Sequence, residues 1–126
     1  MVQPRTSPLL IDAGIYSIAD KYDIFPLKVL ARIKFNNFLG SVYVDGFPPS
    51  YIVPHDQAFA AAIHTVYTST PDSDRSLRDD CVLYAKESIK RLKKQESFNQ
   101  ALKDVPDFMF DVLHGVLDQQ KRPEER

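Results

Sequence analysis

The sequence predicts an all-α fold, a small irregular bundle of about six amphipathic helices. Three observations predict it. Apolar residues recur at helical spacing in six segments, Pro, Gly and polar clusters separate those segments, and the period-two alternation of a strand is nearly absent.

The first helix is predicted from Ser7-Pro8, an N-cap followed by proline at the first helical position, through Tyr22. The second starts at Pro26 and ends near Gly40, a natural C-cap. Residues 41–55 form a Pro-rich loop, since three prolines and an Asp-Gly pair exclude a long helix, with a short extended piece at Val42 to Val44. The third helix, from about Asp56 to Ser69, places Phe59, Ala62, Ile63, Val66 and Tyr67 on one face.

Thr70 to Asp74 supplies N-cap candidates for the fourth and longest helix, which is expected to run unbroken to about Lys94. Its apolar stripe is Leu77, Cys81, Tyr84, Ala85, Ser88, Ile89 and Leu92. A short fifth helix spans Ser97 to Lys103, with Phe98, Ala101 and Leu102 inward. Pro106 opens the sixth, with Phe108, Met109, Val112, Leu113, Val116 and Leu117 expected toward the core. The division is therefore a helical pair over 8–40, the loop over 41–55, a helical extension over 56–119, and a disordered charged tail over 120–126.

Composition narrows the function. The 126 residues carry 16 Lys plus Arg against 17 Asp plus Glu, a formal charge of −1, so no whole-molecule field draws the chain to nucleic acid or anionic lipid. One cysteine, Cys81, permits no internal disulfide and fits a reducing compartment. No apolar run approaches the roughly 18 residues of a membrane span, and the N-terminus lacks a secretory apolar region. The expectation is a cytoplasmic or nuclear protein without membrane contact.

The first two helices are apolar on two sides. Ile11, Ile15, Ile18 and Tyr22 make one stripe of the first, and Leu9, Ala13 and Tyr16 make another. In the second, Leu27, Leu30, Ala31, Phe35 and Phe38 oppose Val29 and Ile33. A helix apolar on two sides is usually buried on two sides, which points to self-association or to a partner element. Tyr16, Tyr22, Val29 and Ile33 are the expected contacts on the spare faces.

Chemistry is sparse. Cys81 lies mid-stripe, where a thiol is poorly ionised. His64 and His114 sit at stripe margins without zinc spacing, and His55 stands apart. Asp72, Asp74, Asp79 and Asp80 read as helix-start acids complementing the macrodipole. No Gly-rich phosphate loop or nucleophile elbow occurs. No catalytic residue, cofactor or metal is expected, and the chain reads as a non-enzyme. Lys86, Lys90, Arg91, Lys93 and Lys94 occupy an arc of roughly 160° opposite the apolar stripe, where a solvated face belongs. Binding of nucleic acid or an anionic surface through Lys86 to Lys94 is the alternative from another class, disfavoured because no aromatics interleave with the lysines.

Residues 15–24, Ile-Tyr-Ser-Ile-Ala-Asp-Lys-Tyr-Asp-Ile, followed by Pro26-Leu27-Lys28, Ala31 and Phe35, resemble the last two helices of BTB/POZ domains. Val66 to Asp79, with Val105-Pro106-Asp107-Phe108, Asp111 and Leu113, resembles the helical extension that follows that fold in filamentous-fungal BTB proteins. The resemblance implies a C-terminal piece of an adaptor or scaffold that binds other proteins. In the family, the portion ahead of these helices supplies most of the homodimer interface and much of the docking surface for cullin scaffolds of ubiquitin ligases. Cullin engagement is thus expected only with a full BTB domain. A remnant without independent function is the bland alternative.

Overall fold

The computed structural model describes residues 7–121. Helix α1 (Pro8–Lys21) begins where Ser7 Oγ accepts the Leu10 amide at 3.3 Å, with Pro8 in the first turn. It ends in a Schellman motif: the Ile24 amide bonds the Ala19 carbonyl at 2.8 Å and the Asp23 amide bonds Asp20 at 3.2 Å. Asp23 takes the left-handed position usually given to glycine, at φ 60°. This tight reversal lays α2 (Phe25–Gly40) along α1.

The expected extended piece at Val42 to Val44 is instead a 3₁₀ turn over Ser41–Tyr43. Ser41 Oγ bonds the Phe38 carbonyl at 2.7 Å, so the chain tightens past α2 before it turns. Gly46, at φ 90°, then makes the left-handed step that a side chain would resist. After a second 3₁₀ turn, Pro49–Tyr51, helix α3 (Ile52–Ser69) starts four residues before the expected Asp56. Pro54 is admitted because first-turn amides need no intrahelical acceptor.

Helix α3 is the central post, packed by α1 and by the three helices α4 (Ser76–Glu87), α6 (Glu96–Asp104) and α7 (Pro106–Lys121). Its stripe Phe59, Ala62, Ile63, Val66 and Tyr67 is buried. Phe59 meets Tyr84 and Phe108 edge-on at 4.7 and 6.3 Å, and Phe98 meets Phe108 at 6.1 Å, which locks α3, α4, α6 and α7 around one aromatic centre.

Four expectations are corrected. The single helix to Lys94 breaks at Ser88, whose backbone leaves the helical region at φ −114° and ψ 16°, and a one-turn helix α5 (Ile89–Leu92) follows. Met109, Leu113 and Leu117 face outward from α7, with only Phe108 and Val112 of that set buried and Val116 half-buried. On α1 the core takes Leu9, Ala13 and Tyr16 and leaves Ile11, Ile18 and Tyr22 outside, so Tyr16 is a core residue rather than one on a spare face. Residues 120 and 121 belong to α7, and the rest of the expected disordered tail, 122–126, lies outside the described residues. No strand occurs among the described residues, and the architecture is an all-α bundle.

Candidate interaction surface

Helices α1 and α2 pair along their length and turn apolar side chains outward: Ile11, Ile18 and Tyr22 from α1, and Phe25, Val29, Leu30 and Ile33 from α2. Of these, Phe25, Val29 and Ile33 line a groove of about 460 Å³ along α2, together with Lys28, Arg32 and Asn36, with Ser76 across it.

Tyr16 lines this groove from below. Its hydroxyl donates to the Asp74 carboxylate at 2.9 Å, and Lys28 Nζ lies 5.2 Å from its ring centre. Burial, ahead of the neighbouring carboxylate, pushes the Tyr16 phenol up. Burial works to raise Asp74 as well, but the Tyr16 hydroxyl, the Ser76 amide and Lys28 outweigh it and hold the carboxyl below its ordinary value. Lys28 also bonds Asp20 at 2.8 Å, and Arg32 makes a two-pronged contact with Asp80 at 2.9 and 3.0 Å. Both cations of the groove are therefore matched by carboxylates, and what remains uncovered is the apolar Phe25, Val29 and Ile33 beside the polar Asn36.

Of the four expected contacts, the groove gathers Tyr16, Val29 and Ile33. Tyr22 stands apart at the C-cap of α1, 65% exposed, with Lys21 Nζ 5.7 Å from its ring.

A second cluster escaped the sequence reading. Asp56, fully buried, accepts from Tyr84 Oη at 2.7 Å, Arg91 at 2.7 and 3.1 Å, and Gln95 at 2.9 Å. His55 lies 2.8 Å from the Phe38 carbonyl through Nε2 and 3.2 Å from Tyr84 Oη through Nδ1, stacked under Phe38 at 5.1 Å. Burial works to raise the Asp56 carboxyl, but His55, Arg91, Tyr84 and Gln95 hold it far below the usual carboxylate range. Each group engages another, so the cluster is a clasp joining the end of α2 to α3, α4 and α5. Gln95 alone leaves an atom over: its amide nitrogen is drawn to Asp56, and Oε1 is buried without a partner.

Two signals could have found these residues. Asp56 is in register with Phe59 and Ile63 on the apolar stripe of α3, and Arg78 with Cys81 and Ala85 on that of α4, where a charged residue needs partners. Arg78 is 4% exposed and caps α3 by donating to the carbonyls of Tyr67 and Thr70 at 3.1 and 2.6 Å.

The remaining candidates scatter. Cys81 is fully buried, and burial pushes its thiol up. His64 and His114 are exposed, and among the described residues no three His, Cys, Asp or Glu side chains converge to hold a metal ion. The break at Ser88 divides the basic run, turning Arg91 inward to Asp56 and leaving Lys90, Lys93 and Lys94 exposed.

Comparison with family models, curated proteins and solved structures finds no match. No described helix is long and apolar enough to cross a membrane.

Proposed function

We propose that this chain is a non-catalytic protein-interaction module of BTB/POZ type, an adaptor or scaffold that presents the outer face of α1 and α2 to a protein partner. The observation that carries the reading is the row of half-exposed apolar side chains on two paired helices, beside a groove whose charges are already matched. Covering each half-exposed Ile, Val or Leu would contribute about 1 kcal/mol, so a handful of such contacts suffices for a stable complex after association costs. The balanced ion pairs at the groove would set register more than affinity. The resemblance of residues 15–35 to BTB helices supports the adaptor role, and a cullin-type scaffold enters only with the remainder of a BTB domain in place. Cytoplasm or nucleus is the compartment that goes with this role.

The test is photo-crosslinking in cells through residues introduced at positions 29 and 33, with position 103 as a control on α6. One shared set of partners at 29 and 33, absent from 103 and lost with Ile18→Asp plus Leu30→Asp, supports the reading. Identical capture from all three positions overturns it.

A further inference from the structure

Among the described residues the arginines, together with Lys28, are matched with carboxylates, and the other lysines are not. Lys28, Arg32, Arg75, Arg78 and Arg91 each lie within ion-pair distance of an aspartate. Lys86, Lys90, Lys93 and Lys94 have no such partner among the described residues, and Glu87 is the one carboxylate within their stretch. The helix breaks at Ser88, and of these lysines Lys86 and Lys90, one on each side of the break, border a concavity.

That concavity, about 700 Å³, lies between the bend and α7. Lys86, Glu87, Ser88, Ile89, Lys90 and Arg91 line it from the bend and Val116 from α7, so with Arg91 engaged by Asp56 two unpaired ammonium groups stand against one carboxylate. On α7, Leu113 lies about 60° and Leu117 about 100° from Val116 in the helical projection, bordering the concavity instead of lining it, and both are about half exposed. The surface thus joins unpaired ammonium groups to an apolar ledge.

We infer that the groove between the α4–α5 bend and α7 binds an acidic amphipathic helix of a partner protein, its apolar stripe on Ile89, Val116 and the α7 ledge and its carboxylates on Lys86 and Lys90. The inference rests on the reading of the chain as an interaction module but uses a different surface. Charge complementarity to Lys86 and Lys90 selects the acidic partner, and the concavity selects a helix over a bilayer, because a flat lipid surface cannot enter the groove. No aromatic ring lines it for base stacking, which disfavours single-stranded nucleic acid.

The experiment is a fluorescence-anisotropy titration of the full chain against a labelled helical peptide with a leucine stripe flanked by glutamates, at low and physiological salt. Lys86→Glu plus Lys90→Glu should weaken binding at least about tenfold. Leu113→Ser plus Leu117→Ser, both at exposed sites, should weaken it by a similar factor. Lys34→Glu plus Lys103→Glu should leave it unchanged, as should Val29→Asp plus Ile33→Asp. Absence of binding overturns the inference, as does equal binding of a scrambled peptide of the same charge. So does stronger binding to phosphatidylserine vesicles or to an oligonucleotide that the Lys86/Lys90 variant abolishes. Crosslinking through positions 29 and 33 reads the other surface, so failure of the peptide titration leaves the α1–α2 reading standing, and the converse holds.

Discussion

The guanidinium of Arg91 lies 2.7 Å from the fully buried carboxylate of Asp56 and ties the turn after the Ser88 bend to the start of α3. Removing one partner of a buried pair leaves the other charged and unmatched. Asp56→Ala should therefore cost about 3 kcal/mol or more. Arg91 is about one-third exposed, and solvent reaches its head, so Arg91→Met should cost less, about 1–2 kcal/mol. Urea unfolding of the two single variants and the double variant checks this, with the double less destabilised than the sum.

Acid should unfold the protein through the same residue. Asp56 and Asp74 both titrate below the ordinary 3.8 when folded. As pH falls, the unfolded chain takes up protons first. The stability these carboxylates contribute is complete above about pH 5 and is lost progressively at lower pH. Asp56→Asn should flatten the dependence of the urea midpoint on pH between about 5 and 2, whereas Asp79→Asn, at a largely exposed carboxylate, should leave its shape intact.

What was legible in the sequence followed from periodicity. The stripe from Phe59 to Tyr67 and that from Leu77 to Leu92 are core because one helix face meets neighbours and the other meets water. Periodicity cannot choose between two apolar faces of one helix. Tyr16, expected on a spare face, therefore proved core, and Met109, Leu113 and Leu117 proved outward. The decision belongs to tertiary contacts: Asp74 gives the Tyr16 hydroxyl a partner that makes its burial favourable. The groove residues Val29 and Ile33 were legible because they oppose Ala31 and Phe35. Of the Asp56 clasp, only the need of a charged residue on the α3 stripe for partners was legible; their identity was not, since Tyr84, Arg91 and Gln95 lie far from it in sequence.

Two backbone positions carry the wrong residue for stability. Gly14 lies inside α1, and a Cβ there would meet nothing within 4 Å. Gly14→Ala should stabilise by about 0.5–1 kcal/mol through helix propensity and a less flexible unfolded chain. Asp23 has the reverse problem, a side chain at φ 60° in the Schellman turn. Asp23→Gly should be neutral to slightly stabilising, and Asp23→Val should cost about 1–2 kcal/mol. Thermal unfolding should order the variants Gly14→Ala, wild type, Asp23→Val from high to low.

Stability should also separate the two sides of the α1–α2 pair. Tyr16→Phe keeps the ring but removes the hydroxyl that donates to Asp74, a bond to a charged acceptor worth about 1.5–3 kcal/mol. The carboxylate retains Lys28 at 3.4 Å and the Ser76 amide at 3.2 Å, so the loss should fall at the lower end of that range. Val29→Asp plus Ile33→Asp changes two exposed sites and should move the urea midpoint little, within about 0.5 kcal/mol per site. Binding of a dye that reports exposed apolar surface should fall in that double variant and stay unchanged in Tyr16→Phe. A double variant that unfolds would mean that α2 buries this face in the free chain, and the interaction surface would then have to lie elsewhere.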